Sequence, residues 1–235
     1  MSTLGVIGAG QIGSAVARLA VAAGIPVVLA NTRGPESLDA LIAELGDGAT
    51  AGTVADASAQ EIVVLAVPFT AHDQVPSGPL RGKTVLDPTN YYPYRDGRIA
   101  ELDDNGITAS ETVQRAHPGV HIVKAFSNIN APHIPQLARP TGSPDRSTLP
   151  VASDSTHAAM EAIDLLDRLG FDAIHTGPLS ASWRFEPEAA AYTRIYLADP
   201  TVTDEMTAPA APADESKVRA ALQRATRVDV AQRTV

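Results

Sequence analysis

Residues 4–13 read LGVIGAGQIG, and this stretch decides the fold. A short apolar run ends in a glycine pattern of the form G-x-G-x-x-G, and apolar residues at helical spacing follow it. In such a loop the first glycine permits a tight turn, the second lets a pyrophosphate approach the backbone, and the third lets the helix pack on the strand. The start of the helix then offers free N–H groups to negative charge. The pattern predicts dinucleotide binding by Gly8, Ala9, Gly10, Gln11, Ile12 and Gly13.

The residues after the next apolar run indicate which dinucleotide is bound. Sites for NAD usually carry a carboxylate there, which holds the ribose 2′-hydroxyl. This chain instead has Asn31, Thr32 and Arg33, which are two hydrogen-bond donors and a planar cation. Because a carboxylate would repel a 2′-phosphate and these side chains would attract it, we expect NADP rather than NAD. The alternative is that Arg33 is a solvated loop residue.

Apolar, β-branched runs alternate with helical patterns along most of the chain. The predicted strands cover residues 4–8, 25–30, 61–67, 83–87, 121–126, 149–152 and 171–175. This alternation is typical of a parallel sheet that is covered on both faces. We therefore predict an α/β fold: a Rossmann-type, doubly wound, mainly parallel sheet with a small helical C-terminal extension. Residues 1–176 would form the NADP-binding Rossmann domain, and residues 177–235 a helical segment that closes the substrate side.

The last part of the chain has a different pattern. We predict a helix over residues 182–197 that Pro187 interrupts, an extended connector over residues 199–214, and a short amphipathic helix over residues 215–227. A helix this short is marginal alone, so it should pack on the domain or on a partner subunit. Since dimers are the commonest assembly, we expect a homodimer.

Composition excludes several classes of function. The chain has 27 acidic and 18 basic residues, and this net charge of −9 disfavours nucleic acids and anionic membranes as partners. It has no cysteine, which excludes disulfides and cysteine nucleophiles, and its six histidines lack the spacing of a metal site. The most apolar early stretch, residues 19–30, is shorter than the roughly 20 residues of a membrane span. We expect a cytoplasmic protein that acts on a small molecule without a metal.

Three loops at the carboxyl ends of predicted strands are candidates for the reaction site, since ligands of open parallel sheets bind there. In chain order, they hold Ala66, Val67 and Pro68, then Asn90, and then Ser127, Asn128 and Ile129. Their alternative role is scaffold, because Asn and Asp-Pro sequences are ordinary turn formers. No acid–base pair stands out, and we predict no catalytic side chain. Hydride transfer between two cofactors needs positioning more than proton transfer.

Several segments together resemble one known family. They are residues 31–36 (NTRGPE), 66–68 (AVP), 124–129 (KAFSNI), 149–152 (LPVA) and 177–180 (GPLS). With the glycine loop, they look like the NADPH-dependent F420 reductases, also called F420H2:NADP oxidoreductases. The resemblance implies NADP as cofactor at residues 8–13 and 31–33, and hydride exchange with the deazaflavin coenzyme F420 as substrate. The deazaflavin would lie over the nicotinamide near Pro68, Ser127, Asn128, Ile129 and Leu179.

At the acceptor side, this chain differs from part of the family that it resembles. Archaeal members of the family carry His where this chain has Ser127. Two alternatives therefore stand beside the deazaflavin: reduction of another acceptor, such as a flavin, a ferric chelate or a small carbonyl compound, and a non-catalytic NADP(H)-binding sensor. Because coenzyme F420 has an acidic tail, we also expect a basic patch, for which Lys124, Arg139 and Arg184 are candidates.

Overall fold

The computed structural model describes residues 3–233, and its centre is a six-stranded parallel sheet. The strands are β1 (Leu4–Ile7), β2 (Val27–Ala30), β3 (Ala49–Ala51), β4 (Ile62–Leu65), β5 (Thr84–Asp87) and β6 (His121–Lys124). Their order in the sheet is β3-β2-β1-β4-β5-β6, and every neighbouring pair is parallel. This is the strand order of the doubly wound dinucleotide-binding fold. The predicted fold class is confirmed.

Helices connect the strands and cover the sheet. The α-helices are α1 (Gln11–Ala22), α2 (Asp39–Leu45), α3 (Val54–Ser58), α4 (Pro93–Asp96), α5 (Ala100–Asp103), α6 (Ala109–Ala116), α7 (His133–Leu137), α8 (Thr156–Arg168) and α9 (Glu215–Arg224). Short 3₁₀ helices are Pro35–Leu38, Gly46–Gly48, Phe69–Gln74, Gly78–Leu80, Leu179–Phe185, Thr193–Tyr196 and Val230–Gln232. Within residues 3–233, none of these helices is long and apolar enough to cross a membrane.

The central strands bury both of their faces. Val64 and Val123 belong to the hydrophobic cluster on one side of the sheet, whereas Val63 and Ile122 belong to the cluster on the other side. All four side chains are fully buried. Because successive residues of a strand point to opposite faces, burial on both sides produces the continuous apolar runs that the sequence shows.

Two further strands form a separate small sheet. These strands, β7 (Thr148–Val151) and β8 (Asp172–His175), pair in parallel, with α8 between them in sequence. One antiparallel bridge, between Lys124 and Ala152, connects this sheet to the end of β6. The sequence analysis predicted both strands but did not separate them from the main sheet, because an apolar run identifies a strand and not its partner.

The predicted helix over residues 182–197 is wrong. The structure has two 3₁₀ helices in this region, Leu179–Phe185 and Thr193–Tyr196, with turns between them. Pro187 disfavours the helical conformation at the residue before it and removes one backbone donor. Glu188 then adopts a φ of 68°, which no right-handed helix contains.

The apolar face of α9 packs on its own chain. Val218 and Ala221 are fully buried, and α9 contacts β7, β8 and the Thr193–Tyr196 helix. Since this face is already covered, α9 gives no support to a homodimer, which stays a prediction. The proposed domain division after residue 176 also stays a prediction, although Phe171 and Phe185, on either side of it, share one hydrophobic core.

Candidate functional site

The three glycines of the loop after β1 have three different environments. Gly8 has a φ of 108°, which favours glycine, and a Cβ there would lie 2.2 Å from the carbonyl oxygen of Ala66. A Cβ on Gly13 would lie 1.9 Å from the carbonyl oxygen of Gly8, so α1 can pack this close to the loop only without a side chain. A Cβ on Gly10 would meet open space. The backbone at Gly10 is therefore open to a ligand.

The N-terminus of α1 is suited to an anion. The helix begins without a side-chain cap, and its first turn contains no acidic residue. The first N–H groups of an α-helix have no partner within the helix, and the helix dipole adds a partial positive charge at the same end. Gln11 and Ile12 lie on the wall of a cleft at this point. A phosphate group placed there would accept hydrogen bonds from the backbone.

Asn31 folds the turn that follows β2. Its side-chain oxygen accepts hydrogen bonds from the backbone N–H of Arg33 (2.9 Å) and from the hydroxyl of Ser37 (3.1 Å). Its amide nitrogen lies 2.8 Å from the same hydroxyl. Asn31 therefore shapes the turn and positions Arg33, while its direct contact with a phosphate stays a prediction. Thr32 and Arg33 are exposed, and in the described part of the chain Arg33 makes no ion pair.

This turn lies beside the glycine loop because β1 and β2 are neighbours. Ile7 pairs with Ala30, and the backbone N–H of Gly8 donates to the carbonyl oxygen of Ala30 at 2.8 Å. A dinucleotide whose pyrophosphate lies on the glycine loop would bring its adenosine ribose toward this turn. The arrangement leaves the Arg33 guanidinium available to a 2′-phosphate.

A cleft of about 1130 Å³ lies at the carboxyl ends of β1, β4, β5 and β6. The loops after these strands meet because the strand ends are in register: Ile7 pairs with Leu65, and Asp87 with Lys124. Nine of the predicted site residues line its wall: Gly10, Gln11, Ile12, Ala66, Val67, Pro68, Asn90, Ser127 and Ile129. The structure thus brings the glycine loop and the three strand-end loops together, while their ligand contacts stay predictions.

Asn90 Oδ1 and Ser127 Oγ are buried polar atoms on this wall that have no hydrogen-bond partner among the described residues, and Asn130 Nδ2 is a third. Asn90 is 9% exposed and Ser127 is 3% exposed. The amide nitrogen of Asn90 donates to the carbonyl oxygen of Ser127 at 2.7 Å, which fixes the amide and leaves Oδ1 for another donor. An unpartnered buried polar atom costs about 1–3 kcal/mol. A ligand with an amide edge would satisfy Asn90 Oδ1 and Ser127 Oγ.

The backbone of the cleft is strained at two positions. Phe126 has a φ of 58° and Glu188 a φ of 68°, and both residues lie on the wall. Non-glycine residues in this conformation cost of order 1–3 kcal/mol and cluster at functional sites. The ring of Phe126 packs edge-on against Phe171, with 6.0 Å between the ring centres. This packing holds the turn that presents Ser127.

Lys124, at the end of β6, is completely buried. Its ammonium group donates to the carbonyl oxygen of Thr89 (3.0 Å) and to the hydroxyl of Ser110 (3.2 Å), and it lies 3.7 Å from the carboxylate of Glu186. Asp87 is equally buried and accepts hydrogen bonds from Thr89 and Ser110. This network fixes the loop after β5. The prediction that Lys124 contributes to a basic patch for an anionic tail is therefore wrong.

The other two expected cations also lie off the wall of the cleft. Arg139 forms an ion pair with Asp145 at 2.7 Å. Arg184 lies over the ring of Trp183 at 5.3 Å and lines a second cavity of about 490 Å³. Sequence distance to the predicted loops gave no information about where these side chains would point.

Two of the predicted substrate residues are buried scaffold. Asn128 is fully buried, and its amide nitrogen donates to the carbonyl oxygen of Ala191 (2.9 Å) and to the hydroxyl of Tyr196 (3.1 Å). Leu179 is also fully buried, and its carbonyl oxygen accepts from Thr108 at 3.1 Å. Neither residue is part of the cleft wall, so both support it from behind, and their contact with the substrate stays a prediction.

The sequence analysis missed two tyrosines that meet at the cleft. The hydroxyl groups of Tyr92 and Tyr192 lie 2.6 Å apart, and both residues line the wall. The guanidinium of Arg95 lies 4.5 Å from the centre of the Tyr92 ring. Burial raises the pKa of both phenols, and the hydrogen bond with Tyr192 and the charge of Arg95 offset part of this rise at Tyr92. No local signal could have joined two residues 100 positions apart.

The charged side chains of the wall are mostly acidic. Its two arginines are already paired: Arg194 with Glu205 at 2.9 Å, and Arg95 with Asp96 at 2.7 Å. A further carboxylate, that of Asp204, lines the wall. The cleft therefore favours a neutral or cationic group near these residues.

Solved structures of other proteins share this fold. A hypothetical protein of Sinorhizobium meliloti has 29% sequence identity and a TM-score of 0.71, over 80% of this chain and 92% of that one. A candidate F420-dependent NADP-reductase of Arthrobacter sp. FB24 has 24% identity and a TM-score of 0.65, over 77% and 87%. An imine reductase of Myxococcus stipitatus, solved with NADP⁺, has 23% identity and a TM-score of 0.52, over 76% and 56%.

Comparison of the sequence with known proteins and families gives two results. No curated protein matches the chain. Residues 3–91 match the family described as NADP oxidoreductase, coenzyme F420-dependent. The matched segment contains the glycine loop, the Asn31 turn and the loop of Pro68. Through this segment, the chain is similar to the family of coenzyme F420-dependent NADP oxidoreductases.

Proposed function

We propose that this protein exchanges a hydride between NADPH and the deazaflavin coenzyme F420. The family match and the position of the cleft at the carboxyl edge of the sheet support this function. A volume of about 1130 Å³ exceeds the roughly 300–1,000 Å³ of ordinary small-ligand pockets, so a second flat ring has room beside a nicotinamide. The bound nicotinamide supplies the hydride chemistry, while the protein orients the rings and excludes water.

The observation that carries the proposal is the pair of unpartnered atoms, Asn90 Oδ1 and Ser127 Oγ. A nicotinamide carboxamide has an N–H group that can donate a hydrogen bond to Asn90 Oδ1. It also has a carbonyl oxygen that can accept a hydrogen bond from the Ser127 hydroxyl. The imide edge of a deazaflavin presents the same two kinds of group. Pro68 and Ile129 add apolar surface for a flat ring on the same wall.

The NADP side of the proposal rests on two further features. Gly10 and the uncapped start of α1 would hold the pyrophosphate. Arg33, which Asn31 positions, would hold the 2′-phosphate through charge-assisted hydrogen bonds. Ala66 and Val67 would line the ribose of the nicotinamide half, because they follow β4 at the wall of the cleft.

The test is to mix the purified protein anaerobically with NADPH and oxidised coenzyme F420. We expect the visible absorbance of the deazaflavin to fall as the hydride is transferred, and NADH to support a much slower reaction. Constant deazaflavin absorbance with NADPH in excess would contradict the proposal. If NADPH binds but no acceptor of any class is reduced, the protein is a sensor and not an enzyme.

A matched pair of variants separates binding from folding. A Cβ on Gly10 or on Gly78 meets open space, and neither residue has a positive φ, so both Gly10→Ala and Gly78→Ala should fold normally. We expect Gly10→Ala to weaken NADPH binding by about tenfold or more, or at least about 1.4 kcal/mol, because the methyl group occupies the space of the pyrophosphate. Gly78→Ala should bind NADPH like the wild type. Isothermal titration calorimetry measures both affinities.

A second candidate function is reduction of a different acceptor with NADPH. The carboxylate of Asp204 on the wall favours it, because it would repel the anionic tail of coenzyme F420 and attract a cationic substrate such as an iminium ion. An imine reductase shares the fold, which makes imines and carbonyl compounds suitable probes. Faster oxidation of NADPH with these compounds than with the deazaflavin would favour this second function.

A further inference from the structure

The cleft holds a pair of phenols that neither the family match nor the sequence pattern assigns. Tyr92 follows β5 and Tyr192 precedes the Thr193–Tyr196 helix, so the pair joins two separate walls of the cleft. Their hydroxyl groups lie 2.6 Å apart, which makes one the donor and the other the acceptor. The accepting hydroxyl keeps its own proton free to donate to a ligand.

Several contacts hold Tyr92 in place. Its backbone N–H donates to the carboxylate of Asp96 at 2.9 Å. Arg95 forms an ion pair with the same carboxylate at 2.7 Å and donates to the carbonyl oxygen of Asn90 at 2.9 Å. The Arg95 guanidinium then lies 4.5 Å from the centre of the Tyr92 ring. The phenol is thus fixed on the same short loop as the unpartnered amide oxygen of Asn90.

We propose that Tyr92 is the proton donor of the reaction and that Tyr192 is a positioning residue, which holds the Tyr92 hydroxyl and stabilises its anion. The inference rests on the proposed function, because it requires a hydride acceptor in the cleft. It differs from the sequence-based prediction that no side chain takes part in the chemistry.

The chemistry balances for a deazaflavin, a neutral imine or a carbonyl compound as the acceptor. As the C–H bond of the reduced nicotinamide breaks, the hydride forms a C–H bond on the acceptor, and the displaced electron pair moves to a ring nitrogen, an imine nitrogen or a carbonyl oxygen. The O–H bond of Tyr92 breaks and its proton bonds to that atom. Tyr192 donates its hydrogen bond to the resulting phenolate, which regains a proton from solvent. NADPH is oxidised and the acceptor is reduced by two electrons.

The charges around the pair distinguish the two phenols. Arg95 faces Tyr92, with the exposed Tyr94 ring beside it, whereas Glu205 acts on Tyr192. The buried Arg233 acts on both phenols. Burial raises the pKa of both phenols, but at Tyr92 the hydrogen bond from Tyr192 and the charge of Arg95 offset part of this rise, whereas at Tyr192 the carboxylate of Glu205 adds to it. Tyr92 is therefore the phenol that can give up its proton and recover it.

The first experiment measures turnover of Tyr92→Phe and Tyr192→Phe, using the acceptor that the wild type reduces fastest. We expect Tyr92→Phe to lower kcat about 10²-fold or more, with the Kd for NADPH unchanged, because general acids typically contribute this much. Without the internal acid, protonation of the acceptor depends on acid in the solvent. As the pH rises, kcat/KM of Tyr92→Phe should therefore fall about tenfold per pH unit over the range where kcat/KM of the wild type is constant. Tyr192→Phe should show a smaller loss.

Tyr91→Phe is the matched control. The Tyr91 hydroxyl lies 2.9 Å from the carbonyl oxygen of Gly97 and 2.8 Å from the carboxylate of Asp103, and the side chain lies in the core away from the cleft. Like Tyr92→Phe, this variant loses a phenolic hydroxyl group, but from the neighbouring residue. We expect it to lose stability while kcat and the pH profile stay like those of the wild type.

The second experiment needs no cofactor or acceptor. Ultraviolet absorbance titration follows phenol ionisation in the wild type and both variants. We expect Tyr192→Phe to move the first ionisation of a cleft phenol to higher pH, because the anion of Tyr92 loses its hydrogen-bond donor. An unchanged titration would overturn the role of Tyr192.

The outcomes separate the two proposals. A wild type that turns over and a Tyr92→Phe variant with the same kcat and pH profile overturn the proton donor alone. A wild type that reduces no acceptor overturns the proposed function and this inference together. Loss of activity in Tyr92→Phe with the steep pH profile, and normal activity in Tyr91→Phe, supports the inference.

Discussion

At the scale of the residue, we propose that Arg33 decides the preference between NADPH and NADH. Its side chain is exposed, and the Asn31 turn holds its backbone beside the glycine loop. We expect Arg33→Ala to weaken NADPH binding about 10- to 100-fold, because a hydrogen bond to a charged group contributes about 1.5–3 kcal/mol. NADH lacks the 2′-phosphate, so its affinity should not change.

Calorimetric titration of the variant with both nucleotides checks this expectation, and NADH serves as the internal control. Equal losses for NADPH and NADH would mean that Arg33 supports the loop and not the phosphate. An unchanged NADPH affinity would leave Arg33 as a solvated residue, which is the alternative that the sequence left open.

At the scale of the element, the C-terminal segment 228–233 ties the end of the chain to the cleft. The side chain of Arg98 donates to the carbonyl oxygen of Ala231 at 2.5 Å, and Val230 lies in the same hydrophobic cluster as Leu102. Arg233, buried beside the cleft loop, donates to the carbonyl oxygen of Tyr91 at 2.7 Å. The segment therefore fixes the loop that carries Asn90 and Tyr92.

Removing the Arg233 guanidinium should loosen this loop. We expect Arg233→Met, which keeps the aliphatic part of the side chain, to lower the free energy of unfolding by about 1–3 kcal/mol, since the buried carbonyl of Tyr91 loses its donor. Arg227→Met replaces an exposed arginine immediately before this segment and is the control. Urea denaturation measures both variants. Equal stability of Arg233→Met and wild type would show that the tail does not hold the loop.

The elements that sequence could predict are those whose signal is local. The strand and the glycines of residues 4–13 are neighbours in the chain, and Gly8 and Gly13 have the close packing that the pattern requires. The contact between Tyr92 and Tyr192 depends instead on the path of the chain after β8. In this region the sequence predicted one helix, and the structure has two 3₁₀ helices. The prediction for Lys124 failed because hydropathy does not show that a charged side chain will be buried beside a carboxylate, here that of Glu186.

At the scale of the whole molecule, two buried histidines connect pH to stability. His117 is fully buried and His72 nearly so, with 5.9 Å between their ring centres. The Nε2 atom of His117 lies 3.0 Å from the carbonyl oxygen of His72, which can only accept, so Nε2 carries the proton. The hydroxyl of Ser77 lies 3.0 Å from Nδ1 and 3.3 Å from the carbonyl oxygen of Ala116. Burial lowers the pKa of both histidines.

The sign of the pH effect follows from these lowered pKa values. The unfolded chain has histidines with a pKa of about 6.5, so below this pH it binds protons that the folded chain excludes. The stability that His72 and His117 contribute is present above about pH 6.5 and is lost as the pH falls. We expect the free energy of unfolding to fall between about pH 7 and pH 5, by at most about 1.4 kcal/mol per pH unit for each proton.

Urea denaturation across this range should show a shallower slope for His117→Gln, while His157→Gln, whose side chain is 83% exposed, should keep the wild-type slope. A wild-type stability that is flat over this range would mean that the two rings are solvated in the native state, because only exclusion of water makes their protonation costly.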